Sequence, residues 1–198
     1  MKKLLITLTV ALMALGCQSE TVCDENVKAA KALAGRILPK QSRNIEFVTM
    51  PSDSVDCYSL EFKDGKLVIS GNSALSMAVG LNHYLKEYCN QTVTWYVRDA
   101  VKEPETLPTF EGKISRKALV RDRFFLNYCT FGYSLNWWQW EDWERLIDWM
   151  ALNGVNMALA TTGQESVWME VWRELGMSDE QIRAYFTGPS FLGWHRMT

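Results

Sequence analysis

Residues 121–134 read RDRFFLNYCTFGYS, residues 136–160 read NWWQWEDWERLIDWMALNGVNMALA, and residues 185–197 read YFTGPSFLGWHRM. Eight of the nine tryptophans lie after residue 136, so this stretch must either bury its large aromatics or bind something with them. Trp140, Trp143, Ile147 and Met150 recur at helical spacing, which predicts an amphipathic helix from Asn136 to Asn153. Asn136 is its expected N-cap, with Gln139 three residues on and Gly154 at the C′ position. Glu141 and Arg145 read as an exposed i,i+4 pair. Leu119–Cys129 is a strand candidate, and the continuously apolar Val155–Ala160 reads as a strand buried on both faces. Gln164–Leu175 reads as a second helix stopped by Gly176. Ser178 with Gln181 forms a capping box for a third, which Thr187-Gly188-Pro189 ends. Strand, helix, strand, helix with buried strands is the opening of a parallel α/β fold, and a (β/α)8 TIM barrel is the expected architecture.

Such barrels take about 250 residues, whereas only two strands and their helices are legible here. Burying one Trp removes roughly 150–250 Å² from water, worth about 4–6 kcal/mol at about 25 cal/mol per Å². Several indoles left without a sheet to cover would forfeit more than the whole stability of a typical domain. The expectation is of the first two βα units of an incomplete barrel, residues 119–198, belonging to a longer protein.

Upstream the grammar differs. Glu20–Leu38 carries Val27, Ala30, Ala34 and Ile37 at helical spacing and ends at Pro39. Asn44–Met50 reads as a strand. Cys57–Phe62 and Lys66–Ser70 alternate around Lys63-Asp64-Gly65, a strong hairpin signal because glycine accepts the positive φ of the turn. Asn72 is the expected cap of a helix carrying Leu75, Ala78, Val79, Asn82 and Leu85, and Thr92–Val97 reads as a last strand. Residues 20–98 therefore read as a small α/β N-terminal domain, and 99–118, with its prolines and mixed charge, as a linker.

Residues 1–17 are of another kind. Lys2 and Lys3 precede the apolar run Leu4–Leu15, followed by Gly16 and Cys17. That is an export signal, too short for a spanning helix, which needs about 20 residues. A cysteine directly after Ala14-Leu15-Gly16 resembles a bacterial lipobox, so Cys17 is the expected lipidation site. The expected location is the bacterial periplasm or cell surface, with membrane contact only through that anchor. Cys23, Cys57, Cys89 and Cys129 match no metal spacing and read mostly as free thiols.

The chain has 198 residues, a net charge of −2, 47% hydrophobic and 22% charged residues, which is the composition of a globular protein. No basic stripe could neutralise phosphates, so nucleic-acid binding is not expected. No cofactor or metal motif is present. Candidate chemistry gathers at the end of the first barrel strand, the rim where barrel enzymes place their sites. On a strand, Asn127 and Cys129 share one side with Phe125, and Tyr133 follows in the loop. An asparagine amide suits a sugar hydroxyl or an N-acetyl group, and Trp194 can stack on the apolar face of a sugar ring. Glu165, at a helix N-terminus, reads as structural. Trp140, Trp143, Trp149, Trp168 and Trp172 read as core packing, Trp137 and Trp138 as either core or site. Cys129 lacks an evident partner base for a nucleophilic role.

RDRFFLNYCTFGYS, WWQWEDWERLIDWMALNGVNMALA, GQE at 163–165 and FTGPSFLGWHRM at 186–197 resemble the opening of the catalytic domain of glycoside hydrolase family 89, the α-N-acetylglucosaminidases. The resemblance covers residues 119–198 and extends more weakly upstream through GKLVISGNS and AVGLNHYLK. It implies a retaining exo-hydrolase that removes terminal α-linked N-acetylglucosamine from glycans. It places Asn127, Cys129, Tyr133 and Trp194 in the substrate subsite. Both catalytic glutamates of the family come from later barrel strands, so no residue of this chain is expected to be catalytic. Thr198 departs from the family pattern, which continues with a small residue and Asn. Two rival readings stand beside it: a non-catalytic carbohydrate-binding surface lipoprotein, and a structural surface protein that uses its Trp-rich half for assembly.

Overall fold

The computed structural model describes residues 25–51, 53–97 and 101–195. The expected export signal and Cys17 lie outside them, as do Cys23 and the first residues of the helix expected from Glu20. The chain divides into two compact units. One comprises the chain up to Arg121 with Asp148–Gly154, the other Asp122–Ile147 with Val155 onward.

The first unit is a four-stranded sheet with helices over one face. Helix α1 covers residues 25–37, and β1 is Ile45–Thr49, β2 Cys57–Lys63, β3 Lys66–Gly71, α2 Ala74–Glu87 and β4 Lys113–Lys117. The strand order is β1-β3-β2-β4, with β1 parallel to β3 and the other pairs antiparallel. Register sorts the faces. Phe47, Ile69, Leu60 and Ile114 lie in one cross-strand row, and Ile45, Leu67 and Phe62 in another. With Leu33, Ala34 and Leu38 from α1 and just beyond it, and Met77, Leu81 and Leu85 from α2, they form the core. The alternate row, Glu46, Val68, Glu61 and Lys113, points to the other face. A Cβ on Gly80 would come within 2.9 Å of Ile69 Cγ2, so glycine lets α2 settle close against β3.

The β2–β3 turn forms as the sequence indicates, with positive φ at both Asp64 and Gly65 and Lys63 paired to Lys66. Three other expectations for this unit are corrected. Ser73, not Asn72, caps α2, in a capping box with Ser76. Asn72 instead accepts from Cys57 N at 3.0 Å and donates to the Val55 carbonyl at 2.9 Å. Thr92–Val97 joins no ladder, because β4 occupies the β2 edge and β1 the other; Val93 is tucked into the core without strand pairing. The stretch 99–118 is more than a connector. β4 completes the sheet, Phe110 stacks on Tyr88 with centroids 4.5 Å apart, and the Tyr84 hydroxyl donates to the Pro108 carbonyl at 2.7 Å.

Residues 148–154 also belong to this unit. Leu152 is fully buried in its core. Arg36 makes a two-pronged contact with the buried Asp148 carboxylate at 2.7 and 2.6 Å, the fork geometry that best suits a guanidinium. Cys57 and Cys89 are free thiols.

The second unit holds β5 Phe124–Phe125, α3 Tyr128–Tyr133, most of α4 Trp140–Leu152, β6 Met157–Ala158, α5 Gln164–Glu174, α6 Asp179–Tyr185 and α7 Leu192–His195. β5 and β6 pair in parallel across the intervening helices, so the unit opens with a βαβ connection. Both strands are two residues long, far shorter than 119–129 and 155–160. Met157 is 48% exposed and Phe124 61%, in contrast to the burial on both faces expected of 155–160. Among the described residues this sheet has no further strand to flank either edge. Helix α4 starts later than Asn136. Gln139 supplies the first carbonyl acceptor, and Asp142 Oδ2 accepts from Gln139 N at 3.3 Å. Arg145 pairs with Asp142 at 3.5 Å, i,i+3, in place of the expected Glu141 partner. The Ser178–Gln181 capping box is present, and Gly176 takes φ 90° where α5 stops.

Candidate functional site

The βα connection after β5 builds the site. Leu126 adopts φ 76°, a left-handed conformation that a side chain disfavours. It turns the chain out of β5, and Asn127 becomes the N-cap of α3 rather than a strand residue. Asn127 Oδ1 accepts from Thr130 N at 3.1 Å and from Thr130 Oγ1 at 3.0 Å. Its acceptor is thus committed to the cap, and among the described residues its exposed Nδ2 carries the remaining donors. Cys129, a free thiol, is the second residue of α3 and half-buried. Strand alternation therefore does not relate it to Asn127; the first turn of α3 does.

Tyr133, the last residue of α3, is 70% exposed, and Trp194 on α7 is 41% exposed. The two rings meet edge to face, centroids 6.4 Å apart at 89°. Two glycines permit the approach of α7 to α3. A Cβ on Gly193 would lie 3.1 Å from both Gly132 N and the Tyr128 carbonyl, and one on Gly132 would meet Trp194 Nε1 at 3.4 Å. The segment before α7 is tied down by Asn136 Nδ2, which donates to the Pro189 carbonyl. Behind α3, Phe131 is buried and stacks on Trp143 at 6.2 Å.

All four residues singled out in the sequence therefore belong to two touching helices, Asn127 as the N-cap of α3, Cys129 and Tyr133 within it, and Trp194 on α7. Residue spacing alone puts Asn127 and Cys129 on a strand and Trp194 in a loop, and the structure corrects both. Nothing in residue spacing announces a positive φ at a leucine. Thr161, three residues beyond β6, was not singled out, yet its buried hydroxyl has no hydrogen-bond partner among the described residues. Because β5 and β6 run parallel with Phe125 opposite Ala158, Thr161 sits at the same end of the strand pair as Asn127.

An exposed amide donor and a Tyr–Trp ring pair are groups that can recognise a polar ligand with an apolar face, as a pyranose is. They supply no pair of carboxylates for glycosidic cleavage. Glu165 lies in the first turn of α5, where a carboxylate suits the helix dipole. The Trp-rich faces depart from the expected core packing. Trp140 is 65% exposed, while Trp168 and Trp172 are half-buried in a cluster with Phe186 and Tyr185. Trp137, left open by the sequence, is exposed, and Trp138 packs edge-on against Trp143. Among the described residues no group of three or more His, Cys, Asp or Glu could hold a metal ion, and no helix is long and apolar enough to cross a membrane.

Known proteins share this construction. Residues 123–198 match the α-N-acetylglucosaminidase tim-barrel domain, so the second unit is the opening of a glycoside hydrolase barrel. Residues 28–109 match the N-terminal domain of the same enzymes. Human α-N-acetylglucosaminidase is 38% identical over 175 residues, covering 85% of this chain and 23% of that protein. A family 89 glycoside hydrolase from Clostridium perfringens, in complex with 2-acetamido-1,2-dideoxynojirmycin, superposes with a TM-score of 0.82 at 30% identity, covering 94% of this chain and 21% of its own. The same measures hold for its complex with PUGNAc, and for a form with two glutamates changed to glutamine bound to its substrate GlcNAc-α-1,4-galactose. The chain belongs to the α-N-acetylglucosaminidase family, glycoside hydrolase family 89, and spans about a fifth of the length of these relatives.

Proposed function

We propose that this chain is the N-terminal portion of an exported, lipid-anchored α-N-acetylglucosaminidase, a retaining exo-glycosidase acting on terminal α-linked N-acetylglucosamine. Cys17 is the anchor site, and the periplasm or cell surface is the location. Asn127, Cys129, Tyr133 and Trp194 form one wall of the sugar subsite. The observation that carries this reading is the joining of α3 and α7, which brings the Tyr133 and Trp194 rings edge to face beside the helix that Asn127 caps. The ligand chemistry is borrowed from the bacterial relative, whose complexes hold N-acetylglucosamine-like molecules.

In this reading Asn127 Nδ2 donates to an oxygen of the sugar or its N-acetyl group, and Trp194 covers an apolar ring face. Retention requires an acid/base and a nucleophile, two carboxyl groups about 5–5.5 Å apart. We assign both to glutamates outside residues 1–198. The division of labour is testable on the chain itself. The 198-residue protein should bind 2-acetamido-1,2-dideoxynojirmycin with a change in tryptophan fluorescence, yet release no phenol from an aryl α-N-acetylglucosaminide. Asn127→Ala should weaken that binding by about 1–3 kcal/mol, the cost of an unpaired polar partner. Turnover by residues 1–198 would overturn the placing of the carboxylates, and unaltered affinity in Asn127→Ala would remove that amide from the subsite.

A further inference from the structure

The sheet of the first unit ends in two unlike edges. The order β1-β3-β2-β4 leaves one side of β4 and one side of β1 without a neighbouring strand among the described residues. β4 reads KISRK and is exposed at four of its five positions, with Lys113, Arg116 and Lys117 along it. Closely set charges are the usual guard of an edge, because an added strand would have to bury or pair them. β1 reads IEFVT, with Glu46 as its one charge and with Ile45 and Phe47 buried. Its other residues are good strand formers, and its five pairs with β3 run without a bulge. One edge is guarded and the other is left fit for pairing.

Main-chain direction alternates along β1. Met50 N donates to the Gly71 carbonyl, which turns the main-chain groups of Glu46, Val48 and Met50 towards β3. Those of Ile45 and Phe47 point to the open side. Ile45 N donates to the Ser42 carbonyl, so the Ile45 carbonyl and both main-chain groups of Phe47 are presented to an added strand. A cleft of about 560 Å³ lies beside this edge, lined by Ile45, Phe47, Lys31 of α1, Arg43 just before β1 and Lys66 at the start of β3. Against these three cations stands the single carboxylate of Glu46, an excess of two positive charges. Among the described residues none of the three cationic side chains has an ion pair.

Backbone and charge together select the occupant. A second copy pairing β1 with β1 would gather both sets of cations around one seam, and like charges across an interface oppose association. An extended segment bearing carboxylates meets the same cations with opposite charge. We propose that β1 is a docking edge for an extended acidic segment of a partner protein, which joins the sheet as a fifth strand through Ile45 and Phe47 and sets its carboxylates against Lys31, Arg43 and Lys66. Main-chain bonds supply the attachment in such strand addition, and side chains supply the selectivity. Every residue concerned belongs to the first unit, so the proposal stands or falls separately from the glycosidase reading.

The test uses the full chain and three end-blocked peptides: EVEVEVE, its cationic counterpart KVKVKVK, and EVEPEVE, whose central proline keeps the charge and removes an N–H donor. In calorimetric titration EVEVEVE should bind at least about tenfold more tightly than either of the others. It should slow hydrogen exchange of the Phe47 amide by at least about tenfold, while the Val48 amide, which faces β3, stays as it was. Arg43→Glu and Lys66→Glu should each weaken binding by about threefold or more. Both side chains are exposed, so circular dichroism should stay unchanged. Equal binding of EVEPEVE would mean attraction of charge without strand pairing, and equal binding of KVKVKVK would remove the selection by charge. A Phe47 amide that exchanges slowly without peptide would mean that the edge is already covered, by a second copy if protection grows with protein concentration. Phe47 exchange unaltered by EVEVEVE, or undiminished affinity in both variants, would also overturn the assignment.

Discussion

In the first unit the cross-strand row Phe47, Ile69, Leu60 lies under α1 and α2 and is 5% exposed or less. In the second, the paired residues Phe124 and Met157 are about half-exposed or more, although the local sequence is at least as apolar. The difference lies in what each sheet has beside it. Four strands and two helices enclose one another within residues 25–121, and even the far edge is closed by β4. Two-residue strands flanked by α3–α7 leave their apolar faces without a facing layer, so hydrophobic sequence is not converted into buried area. The first unit draws its order from a closed core. The second draws it from local devices, namely helix caps, the two-glycine contact of α3 with α7, and clusters of aromatic rings.

The sharpest way to break this comparison is to open the first core. Leu81→Ala removes a fully buried side chain between α2 and the sheet and should cost about 2–5 kcal/mol. Urea unfolding followed by far-ultraviolet circular dichroism would show the loss; a change of a few tenths would mean that the enclosed core does not dominate the unit. The second unit is better probed through a cap. Ser178→Ala removes the hydroxyl that accepts from Gln181 N at 3.2 Å and should cost α6 about 0.5–2 kcal/mol. Hydrogen exchange at residues 179–185 should accelerate while exchange in β1–β3 stays as it was. Acceleration in both units would show that they unfold together.

The smallest expected effect is electrostatic. His83 has a folded pKa below the ordinary value of 6.5, chiefly through burial. Between those two values the unfolded chain binds more protons, so acidification from about pH 7 through about 6.5 should destabilise the first unit. Above that window the ring is neutral in both states and the effect vanishes. The comparison that isolates it is the pH dependence of the urea midpoint in wild type and His83→Phe. Parallel curves would show that His83 titrates alike folded and unfolded.

Much of the first unit was legible in residue order because its signals are local. Asp64-Gly65 dictates a two-residue turn, alternation fixes which side chains of β2 and β3 face inward, and helical spacing marks α1 and α2. The errors came where a distant partner decides. Thr92–Val97 has strand composition, but the edge it would need is held by β4, whose sequence KISRK resembles a linker. Ser73 capped α2 in place of Asn72 because Asn72 was drawn into bridging Val55 and Cys57. In the second unit the Ser178–Gln181 box and the Gly176 stop were readable. Leu126 was not, since a leucine at positive φ is set by its surroundings and not by its own preference.

By itself, the order of residues determined the α/β class, the hairpin, the existence of α1, α2, α4, α5 and α6, and the family. Those depend on periodicity, turn chemistry and long matched words, all of which survive without a third dimension. Tertiary structure alone decided that β4 closes the first sheet, that Asn127 is a helix cap with its acceptor spent, that Tyr133 meets Trp194 edge to face, and that Asn82 Oδ1 has no hydrogen-bond partner among the described residues. Each of these depends on groups far apart in the chain competing for the same partner, and a hydrogen bond or a buried face goes to whichever group the packing brings there.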